Sequence, residues 1–269
     1  MMSSRKVVLV TGASRGIGQV VARRLADAGY QVYGTSRQAS ESQSEGLNMV
    51  LLDIQNNDSV QRCVEEVVGR AGRIDVLVNN AGFDLYGAFE ETSLEEFEEQ
   101  IDTNFMGAVR MVKAVLPRMR AQGGGRIINI SSLGGRLGLP MNSAYAASKF
   151  ALEGFSESLR LELLPHKVYI SVVVPGAVAT DTLDSSIREV RTPVTAYVAR
   201  REAMVRKMRD DGAKSSVKPT DVAEAVERII AINEPPFTCT VGGQAKWIPR
   251  MKAALPQRAF EQVMCRLFP

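Results

Sequence analysis

The fold of this 269-residue chain is decided by the stretch Val7-Val8-Leu9-Val10-Thr11-Gly12-Ala13-Ser14-Arg15-Gly16-Ile17-Gly18. A short apolar run enters a turn that contains three glycines, and apolar residues at helical spacing follow it, namely Val20, Val21, Leu25 and Ala28. Glycines allow backbone N–H groups to approach a pyrophosphate, whose charge is favoured at the N-terminus of a helix. The stretch therefore predicts a strand, a phosphate-binding turn and a helix, although its spacing differs from the common G-x-G-x-x-G pattern.

The same turn also matches G-x-S-x-G, the nucleophile elbow of α/β-hydrolases, with Ser14 as the nucleophile. Such a site takes an oxyanion donor from a loop upstream of the elbow, and only thirteen residues precede Ser14. The base would have to be His166, the sole histidine of the chain, which follows Pro165 at a predicted helix end where a solvated or capping role is ordinary. The pattern favours phosphate binding over hydrolysis.

Short β-branched runs alternate with helical patterns along the chain. The predicted strands are Val7–Val10, Gln31–Thr35, Met49–Leu52, Val76–Val78, Ile127–Ile130, Tyr169–Val174 and Thr238–Val241. Helix starts are predicted at Asp58, at Ser93 with Glu96, and at Asp221 with Glu224, the last two as capping boxes. This order predicts an α/β protein with a doubly wound parallel sheet of about seven strands and helices on both faces.

Composition narrows the function classes further. The chain is 45% apolar and 23% charged, which suits one α/β domain with a sizeable core. The net charge of +3 comes from basic residues mixed with acidic ones, so no run indicates a nucleic-acid partner. The scattered Cys63, Cys239 and Cys265 indicate neither a disulfide framework nor a zinc site. No apolar stretch approaches the roughly 18 residues of a membrane span, so we expect a cytoplasmic protein without an integral membrane segment.

A second stretch carries candidate chemistry. Tyr145 and Lys149 are four residues apart, so on a helix they share one face and the ammonium can approach the phenol. A unit charge at ~4 Å in an effective dielectric of ~20 is worth ~4 kcal/mol, which predicts that Tyr145 exchanges protons near neutral pH. Ser132 follows the strand Ile127–Ile130 and offers a hydroxyl that can hold a carbonyl oxygen. A tyrosine and lysine at this spacing are by themselves more often an exposed helical pair, so the assignment depends on other motifs.

Five motifs in order give the chain a resemblance to the short-chain dehydrogenase/reductase family. They are Thr11 to Gly18, Asn79-Asn80-Ala81-Gly82, Asn104, Ser132 with Tyr145 and Lys149, and Pro175-Gly176 to Thr180. The match spans roughly residues 6 to 243 and looks closest to the hydroxysteroid and retinol dehydrogenase-like branch. The resemblance implies a single Rossmann-type dinucleotide-binding and catalytic domain over residues 1–269, with no metal.

The resemblance also implies a role for each matching residue. Tyr145 would be the general acid/base, Lys149 its electrostatic partner and a ligand of the nicotinamide ribose, and Ser132 the hydroxyl that orients the carbonyl. Asn104 would hold a water in the proton relay, and Asp53 would meet the adenine. The implied cofactor-binding residues are Gly12, Ser14, Arg15, Gly16, Ile17, Gly18, Ser36, Arg37, Asp53, Ile54, Asn80, Ala81, Gly82, Tyr145, Lys149, Pro175, Gly176, Val178 and Thr180. Ordinary alternatives are that Asn104 caps the helix after it and that Asp53 is a solvated turn acid.

Cofactor preference is predicted from the end of the second strand. A fold that selects NAD usually has Asp or Glu there, about 20 residues past the glycine turn, to accept hydrogen bonds from the ribose 2′-hydroxyl. Ser36 occupies this position and can donate to a 2′-phosphate, with which Arg37 can form charge-assisted bonds. Arg15 in the glycine turn can approach from the other side. We therefore expect NADP(H), the alternative being that both arginines are only solvated.

Two segments concern the substrate. In the substrate-loop segment 181–217, Thr192-Pro193 predicts a helix start, and an apolar stripe follows at Val194, Val198, Val205 and Met208. Apolar surface near the catalytic residues, or core packing, is expected of Phe83, Leu85, Tyr86, Leu133, Leu137 and Met141. In the C-terminal extension 244–269, Pro249 and Pro256 are expected to interrupt a long amphipathic helix. The extension then folds over the cleft, meets a neighbouring subunit or touches a membrane surface.

The combined prediction is an NADPH-dependent oxidoreductase that reduces an apolar ketone or aldehyde to the alcohol, reversibly, by a Ser-Tyr-Lys mechanism. One alternative enzyme reduces 3-oxoacyl groups on a carrier protein. An alternative of another class is a dinucleotide-sensing scaffold without turnover, against which the intact Ser132, Tyr145 and Lys149 argue. The resemblance also implies a homodimer or homotetramer in which the helices after Asn104 and Ser143 pair with their copies. A close-packing face is formed by Ala147, Ala151, Gly154 and Ser158.

Overall fold

The computed structural model describes residues 5–38, 47–179 and 187–268. Its strands are β1 (Val7–Val10), β2 (Gln31–Ser36), β3 (Asn48–Leu51), β4 (Val76–Asn79), β5 (Asp84–Tyr86), β6 (Gly125–Ile130), β7 (Val168–Pro175), β8 (Ile187–Glu189) and β9 (Thr238–Val241). Its helices are α1 (Gly16–Asp27), α2 (Asn57–Ala71), α3 (Leu94–Ile101), α4 (Gly107–Ala121), α5 (Ser143–Leu163), α6 (Thr195–Ala213), α7 (Pro219–Ala231), α8 (Gly243–Ala254) and α9 (Gln257–Leu267). Each predicted strand is present, with ends that differ by at most two residues.

The large sheet is parallel, and its order among the described residues is β3-β2-β1-β4-β6-β7-β9. From β1 the chain moves towards one edge of the sheet, and from β4 it moves towards the other. In open α/β sheets, ligands bind beyond the carboxyl ends of the strands at such a switch point. The predicted doubly wound parallel sheet is confirmed, and its switch point lies between β1 and β4.

The side chains of β1 explain why both faces of the sheet carry helices. All four are buried, with Val8 and Val10 in one apolar cluster and Val7 and Leu9 in another. Successive side chains of a strand point to opposite faces, so an apolar run such as this one needs cover on both sides. Helices α1 and α7 supply the first cluster, while α2, α4 and α5 supply the second. The helices on both faces are therefore as predicted.

Of the helix starts, the one at Ser93 is confirmed and the one at Asp58 is wrong. The Ser93 hydroxyl accepts from the Glu96 N–H at 3.2 Å, and Glu96 accepts from the Ser93 N–H at 3.1 Å, which completes the capping box of α3. Helix α2 is instead capped by Asn56, whose Oδ1 accepts from the Ser59 N–H at 2.9 Å. Asp58 lies in the first turn, where its charge is favourable at the positive end of the helix.

The predicted starts of the next two helices also shift. Helix α7 begins at Pro219, so Asp221 lies inside its first turn and accepts from the Lys218 N–H at 2.7 Å rather than acting as the cap. Proline suits this first helical position because its missing N–H would be unpaired there. Helix α6 begins at Thr195, three residues after the predicted Thr192. Its most buried side chains include Met204 and Val205.

The C-terminal extension forms two helices that pack against α6 and the loop after β6. Helix α8 continues through Pro249, so the expected interruption there is wrong, whereas α9 begins only after Pro256. The buried residues of this third apolar cluster are Tyr86, Ala88, Leu133, Leu137, Met141, Met204, Val205, Ile248, Phe260, Met264 and Phe268. The extension and α6 thus share a core with the loop after β6.

The limits of the described ranges affect the predictions for the substrate-loop segment and for membrane spans. Thr180 and the first residues of the segment 181–217, up to residue 186, lie outside the described residues. Within the ranges described, no helix combines the length and the apolar composition that crossing a membrane requires.

Candidate active site

The glycine turn is held between the ends of β1 and β4. The Thr11 hydroxyl accepts from the Asn80 N–H at 2.9 Å, and the Asn80 side-chain amide donates to the Gly12 carbonyl at 3.1 Å. Gly12 has φ +66°, and a Cβ built on Gly18 would lie 2.2 Å from the Gly12 oxygen. Helix α1 starts at Gly16, so the turn leads directly to the positive end of a helix.

A cavity of about 560 Å³ opens at this edge of the sheet. Its lining includes these residues with a predicted role in cofactor binding: Gly12, Ser14, Arg15, Gly16, Ile17, Ser36, Arg37, Asp53, Ile54, Asn80, Ala81, Gly82, Tyr145, Lys149, Pro175, Gly176 and Val178. Gly18 does not line it and instead permits the close approach of α1 to the turn. The glycine turn, the N-terminus of α1 and the cavity that both border fit a dinucleotide.

Tyr145 and Lys149 lie on the first turns of α5, as their spacing predicts. Burial raises the pKa of the Tyr145 phenol well above its ordinary value, the charge of Asp84 raises it further, and a hydrogen bond with Ser132 lowers it. The Lys149 ammonium is 5.7 Å from the centre of the Tyr145 ring and donates to the Ile130 carbonyl at 2.9 Å. The pKa of Tyr145 is therefore shifted away from neutral pH, opposite to the direction expected from Lys149, and burial is the largest cause.

Burial also acts on Lys149. It lowers the pKa of the ammonium to about 8, against the charges of Asp84 and Glu153, which raise it. Lys149 therefore stays protonated at neutral pH, while Tyr145 keeps its proton as well. The site holds a proton donor beside a positive charge.

Asn104 lies in a short π-helical segment, Asp102–Met106, between α3 and α4. Its Oδ1 accepts from the Phe83 N–H at 3.0 Å, and its Nδ2 donates to the Phe83 carbonyl at 2.8 Å and to the Ser148 hydroxyl at 3.3 Å. Asn104 therefore does not cap α4. It ties the loop after β4 to α5 and lines the cavity.

Three residues predicted to contact a phosphate on the adenosine ribose, Ser36, Arg37 and Arg15, line the same cavity. Ser36 ends β2, is buried, and its hydroxyl accepts from the Gln38 N–H at 3.2 Å. Arg37 and Arg15 are exposed, and both line the same cavity as Ser36. The structure thus brings the three residues to one cavity.

Another part of the cavity lining is supplied by the C-terminal half of the chain and is mainly apolar, with Lys207, Asp211 and Gln244 as its polar members. Side chains of α6, α8 and the end of α9 line it, namely Met208, Trp247, Ile248, Leu267 and Phe268. Of the six apolar residues predicted near the catalytic site, Phe83 and Leu133 line the cavity, while Leu85, Tyr86, Leu137 and Met141 are buried in the packing behind it. Both expected roles, pocket and core, are therefore realised.

The hydrolase interpretation is excluded by the sheet. Ser14 follows the carboxyl end of β1, whereas His166 is exposed and precedes the amino end of β7. In a parallel sheet these are opposite edges, so the two side chains cannot form a nucleophile and base pair.

The sequence profile of the short chain dehydrogenase family matches residues 6–191, more than half of the chain. The chain belongs to this family. Among its relatives is a 3-ketodihydrosphingosine reductase from Bacteroides thetaiotaomicron, 38% identical over 267 residues that cover 98% of this chain and 97% of that protein. Retinol dehydrogenase 8 from Homo sapiens is 38% identical over 88% of this chain and 81% of its own length.

Solved short-chain dehydrogenase structures superpose on most of the molecule. One from Streptomyces avermitilis has a TM-score of 0.83 at 32% identity and covers 97% of this chain and 98% of its own. One from Burkholderia cenocepacia in complex with NADP has a TM-score of 0.76 at 26% identity and covers all of both chains. A fold neighbour from Burkholderia phymatum, in complex with NAD, has a TM-score of 0.81 at 23% identity and covers 97% and 96% of the two chains. Similar structures therefore hold either dinucleotide.

In this short-chain dehydrogenase, the sequence motifs did not indicate two carboxylates that lie near Tyr145 and Lys149. Asp84 begins β5, lines the cavity and carries a charge that acts on both Tyr145 and Lys149. Glu153, on α5, accepts from the Ser131 hydroxyl at 2.6 Å and pairs with Arg136. The sequence could have indicated Asp84, because it is a lone charged residue inside the apolar run from Phe83 to Tyr86. Nothing in the sequence distinguishes Glu153 from other polar residues of a helix.

Proposed function

We propose that this short-chain dehydrogenase uses NADPH to reduce an apolar ketone or aldehyde to the alcohol, and oxidises the alcohol in reverse. The observation that carries the proposal is a protonated Tyr145 phenol, with Ser132 and Lys149 beside it, in a cavity that also holds the glycine turn and an apolar part. The phenol keeps its proton at neutral pH, and the protonated form is the one that a general acid for carbonyl reduction requires.

Ser132 and Lys149 have separate tasks in this proposal. The Ser132 Oγ accepts from the Gly134 N–H at 3.1 Å, and its hydroxyl also forms a hydrogen bond with Tyr145, so a bound carbonyl oxygen would receive the Ser132 proton in place of the tyrosine oxygen. Lys149 supplies a buried positive charge that stabilises the negative charge developing on the tyrosine oxygen as its proton leaves. Both groups stabilise charge that is larger in the transition state than in the bound substrate.

The dinucleotide would be held along the carboxyl edge of the sheet. Backbone N–H groups of the turn around Gly12 would bind its pyrophosphate, and Asp53 would meet the adenine. Ser36 and Arg37 would bind a 2′-phosphate, which is the basis for proposing NADPH rather than NADH. When bound, the nicotinamide supplies the hydride that a carbonyl reduction requires.

The apolar part of the cavity supports an apolar substrate. Its lining from α6, α8 and α9 contributes aromatic and aliphatic side chains, among them Trp247 and Phe268. The two relatives named above act on compounds of this kind, since 3-ketodihydrosphingosine is a long-chain ketone and retinol is an apolar alcohol. We therefore propose a long-chain or isoprenoid carbonyl compound as the substrate.

A carbonyl panel scored by NADPH oxidation tests the proposal. It contains 3-ketodihydrosphingosine, retinaldehyde, simple ketones and a 3-oxoacyl group on an acyl carrier protein. We expect turnover of the long apolar carbonyls, and Tyr145→Phe should lower it by at least ~10²-fold because the proton donor is lost. Cofactor affinity, measured separately by titration, should stay near that of the unmodified protein.

Tyr197→Phe is the matched control. The Tyr197 hydroxyl is bonded to Glu90 at 2.6 Å, and the residue does not line the cavity, so its loss should change turnover by no more than about twofold. Turnover near wild type in Tyr145→Phe overturns the assignment of the acid. Turnover of only the acyl-carrier substrate replaces the apolar-ketone proposal with the carrier-protein reductase.

A further inference from the structure

Asp84 occupies an unusual place for a carboxylate. It begins β5 and is connected to the start of α5 through Asn142, whose Nδ2 donates to the Asp84 Oδ1 at 2.7 Å and to the Leu85 carbonyl at 3.0 Å. The backbone continues this contact, because the Gly87 N–H donates to the Met141 carbonyl at 2.9 Å. Tyr145 follows three residues after Asn142, so the carboxylate and the phenol share one wall of the cavity.

The charge of Asp84 forms no salt bridge in the part of the chain that the structure describes, although the Lys149 ammonium acts on it from a longer distance and lowers its pKa. Its Oδ2 accepts from the Tyr86 hydroxyl at 3.2 Å, and no lysine or arginine of the described residues forms a salt bridge with it. Of the cations that line the cavity, Lys149 donates to the Ile130 carbonyl at 2.9 Å and Arg188 pairs with Glu99 at 2.7 Å. Each carboxylate oxygen keeps a further lone pair. A partly buried charge of this kind is costly unless a cation meets it.

We propose that Asp84 binds a protonated amino group that the substrate carries next to the carbonyl to be reduced. This inference rests on the proposed carbonyl reduction and narrows its substrate to an amino ketone with a long apolar chain. The amine would meet Asp84 beside Tyr145, and the chain would extend into the part of the cavity lined by residues such as Trp247 and Phe268. 3-Ketodihydrosphingosine, a long-chain ketone with an amino group on the adjacent carbon, has this chemistry.

Binding of an ammonium group would also improve the proton donor. Burial raises the pKa of Asp84 to about 6, so the carboxylate is largely ionised at neutral pH, and its charge adds to the raised pKa of Tyr145. A bound ammonium group neutralises that charge. The pKa of Tyr145 then falls towards its ordinary value, and the phenol becomes a stronger acid while the amino ketone is in place.

The test compares two substrates in three proteins. The substrates are 3-ketodihydrosphingosine and the same 1-hydroxy-3-ketone without the amino group, and the measured quantity is the ratio of their kcat/KM values at pH near neutral. Asp84→Asn keeps an acceptor for Asn142 and a donor for Tyr86 but removes the charge. We expect the ratio to fall at least ~10-fold in this variant, the loss of one charge-assisted bond. Taking the ratio cancels any effect of Asp84 on Lys149 that both substrates share.

Glu99→Gln is the control, since it removes another carboxylate from the same cavity, one that is already paired with Arg188. The ratio should stay within about twofold of the unmodified protein in this variant. Equal losses for both substrates in Asp84→Asn would overturn the inference and assign Asp84 to the positioning of Tyr145 and Lys149.

A binding measurement separates this inference from the proposed function. Sphinganine, the long-chain amino alcohol, should raise the Tm of the NADP+-loaded protein, and most of that shift should be lost in Asp84→Asn. The same alcohol without the amino group should give equal Tm shifts in the unmodified protein and in Asp84→Asn. If no ketone is reduced but this pattern appears, the proposed function fails and amine recognition by Asp84 stands. Equal Tm shifts with sphinganine in the unmodified protein and in Asp84→Asn would refute amine recognition by Asp84, whatever turnover is measured.

Discussion

The proposed preference for NADPH should be reversible at two residues. Ser36 ends β2 as a buried side chain at the cavity edge, and Arg37 follows it as an exposed one. In Ser36→Asp with Arg37→Ala, the new carboxylate would repel a 2′-phosphate and accept hydrogen bonds from a ribose 2′-hydroxyl, while the cation is lost. We expect the double variant to prefer NADH or to use both dinucleotides equally.

The magnitude follows from the number of charged contacts. A charge-assisted hydrogen bond is worth roughly 1.5 to 3 kcal/mol, so one from Ser36 and one from Arg37 give at least ~3 kcal/mol for NADPH over NADH. Each ~1.4 kcal/mol is a factor of ten, which predicts a preference of about 100-fold in kcat/KM for the unmodified protein. The exposure of Arg37 reduces its share through solvent screening, and the burial of Ser36 makes a new carboxylate there correspondingly more repulsive.

The assay is kcat/KM for each dinucleotide with one ketone, together with the dissociation constants of the two reduced dinucleotides measured without ketone. Arg62→Ala is the control, because Arg62 is exposed on α2 and does not line the cavity. It should leave both ratios unchanged. An unmodified protein that uses NADH as well as NADPH refutes the reasoning, and so does a double variant that keeps the full preference.

Three further predictions concern the proton donor, the assembly and the glycine turn. Because burial lowers the pKa of Lys149 to about 8, kcat/KM for reduction should be level at neutral pH and fall as Lys149 loses its proton above that value; a profile that stays flat far above it contradicts the role of the ammonium. Gly154 lies on the exposed side of α5, and Gly154→Arg should break a homodimer or homotetramer into smaller species, measured by light scattering. The control Glu65→Arg, on α2, should leave the assembly intact. A wild-type protein that is monomeric at micromolar concentration would contradict the predicted oligomer. Gly18→Ala should lower the free energy of unfolding by roughly 1 to 3 kcal/mol through overpacking against the Gly12 carbonyl, whereas Gly69→Ala, with open space around it, should not; equal Tm values for the two variants would show that the turn can shift.

The sheet was predictable because its signal is local. A β-branched run such as Val7–Val10 is buried on both faces in a parallel sheet, so it is continuous in the sequence and its limits are visible there. Helix starts carry a weaker signal, since Asn56 and Asp58 are both good caps two positions apart. Backbone geometry, which makes Asn56 the cap, decides between them.

Pro249 shows a different limit of the sequence. A proline removes one backbone donor and usually ends or kinks a helix. Helix α8 nevertheless continues through it, because Ile248 and the neighbouring chain pack into the third apolar cluster and tertiary contacts outweigh the local preference. The closed apolar part of the cavity depends on that packing, so the sequence could indicate an apolar tail but not its position.

The ionisation of the catalytic residues was not predictable from spacing. The four-residue interval between Tyr145 and Lys149 gives their proximity, and a charge at that distance lowers a phenol pKa. Burial acts in the opposite sense on both groups, raising the pKa of Tyr145 and lowering that of Lys149 to about 8. The cavity beside Tyr145 is lined by residues from distant parts of the chain, including β5 and α8, so the spacing of Tyr145 and Lys149 could not indicate that burial would raise the phenol pKa.

Asp84 raises a question that hydrogen bonding alone does not answer. Asp84 accepts from Asn142 and from the Tyr86 hydroxyl. An asparagine would keep both partners, since its oxygen could accept from Asn142 and its amide could donate to the Tyr86 oxygen, with the second bond reversed. An asparagine would avoid the cost of desolvating a charge and would not oppose the ionisation of Tyr145. The charge therefore adds something that the packing does not require. A cationic group on the substrate would pair with the Asp84 carboxylate, so the desolvated charge would contribute to binding. The same pairing would neutralise the charge that raises the pKa of Tyr145, at the moment when Tyr145 transfers its proton.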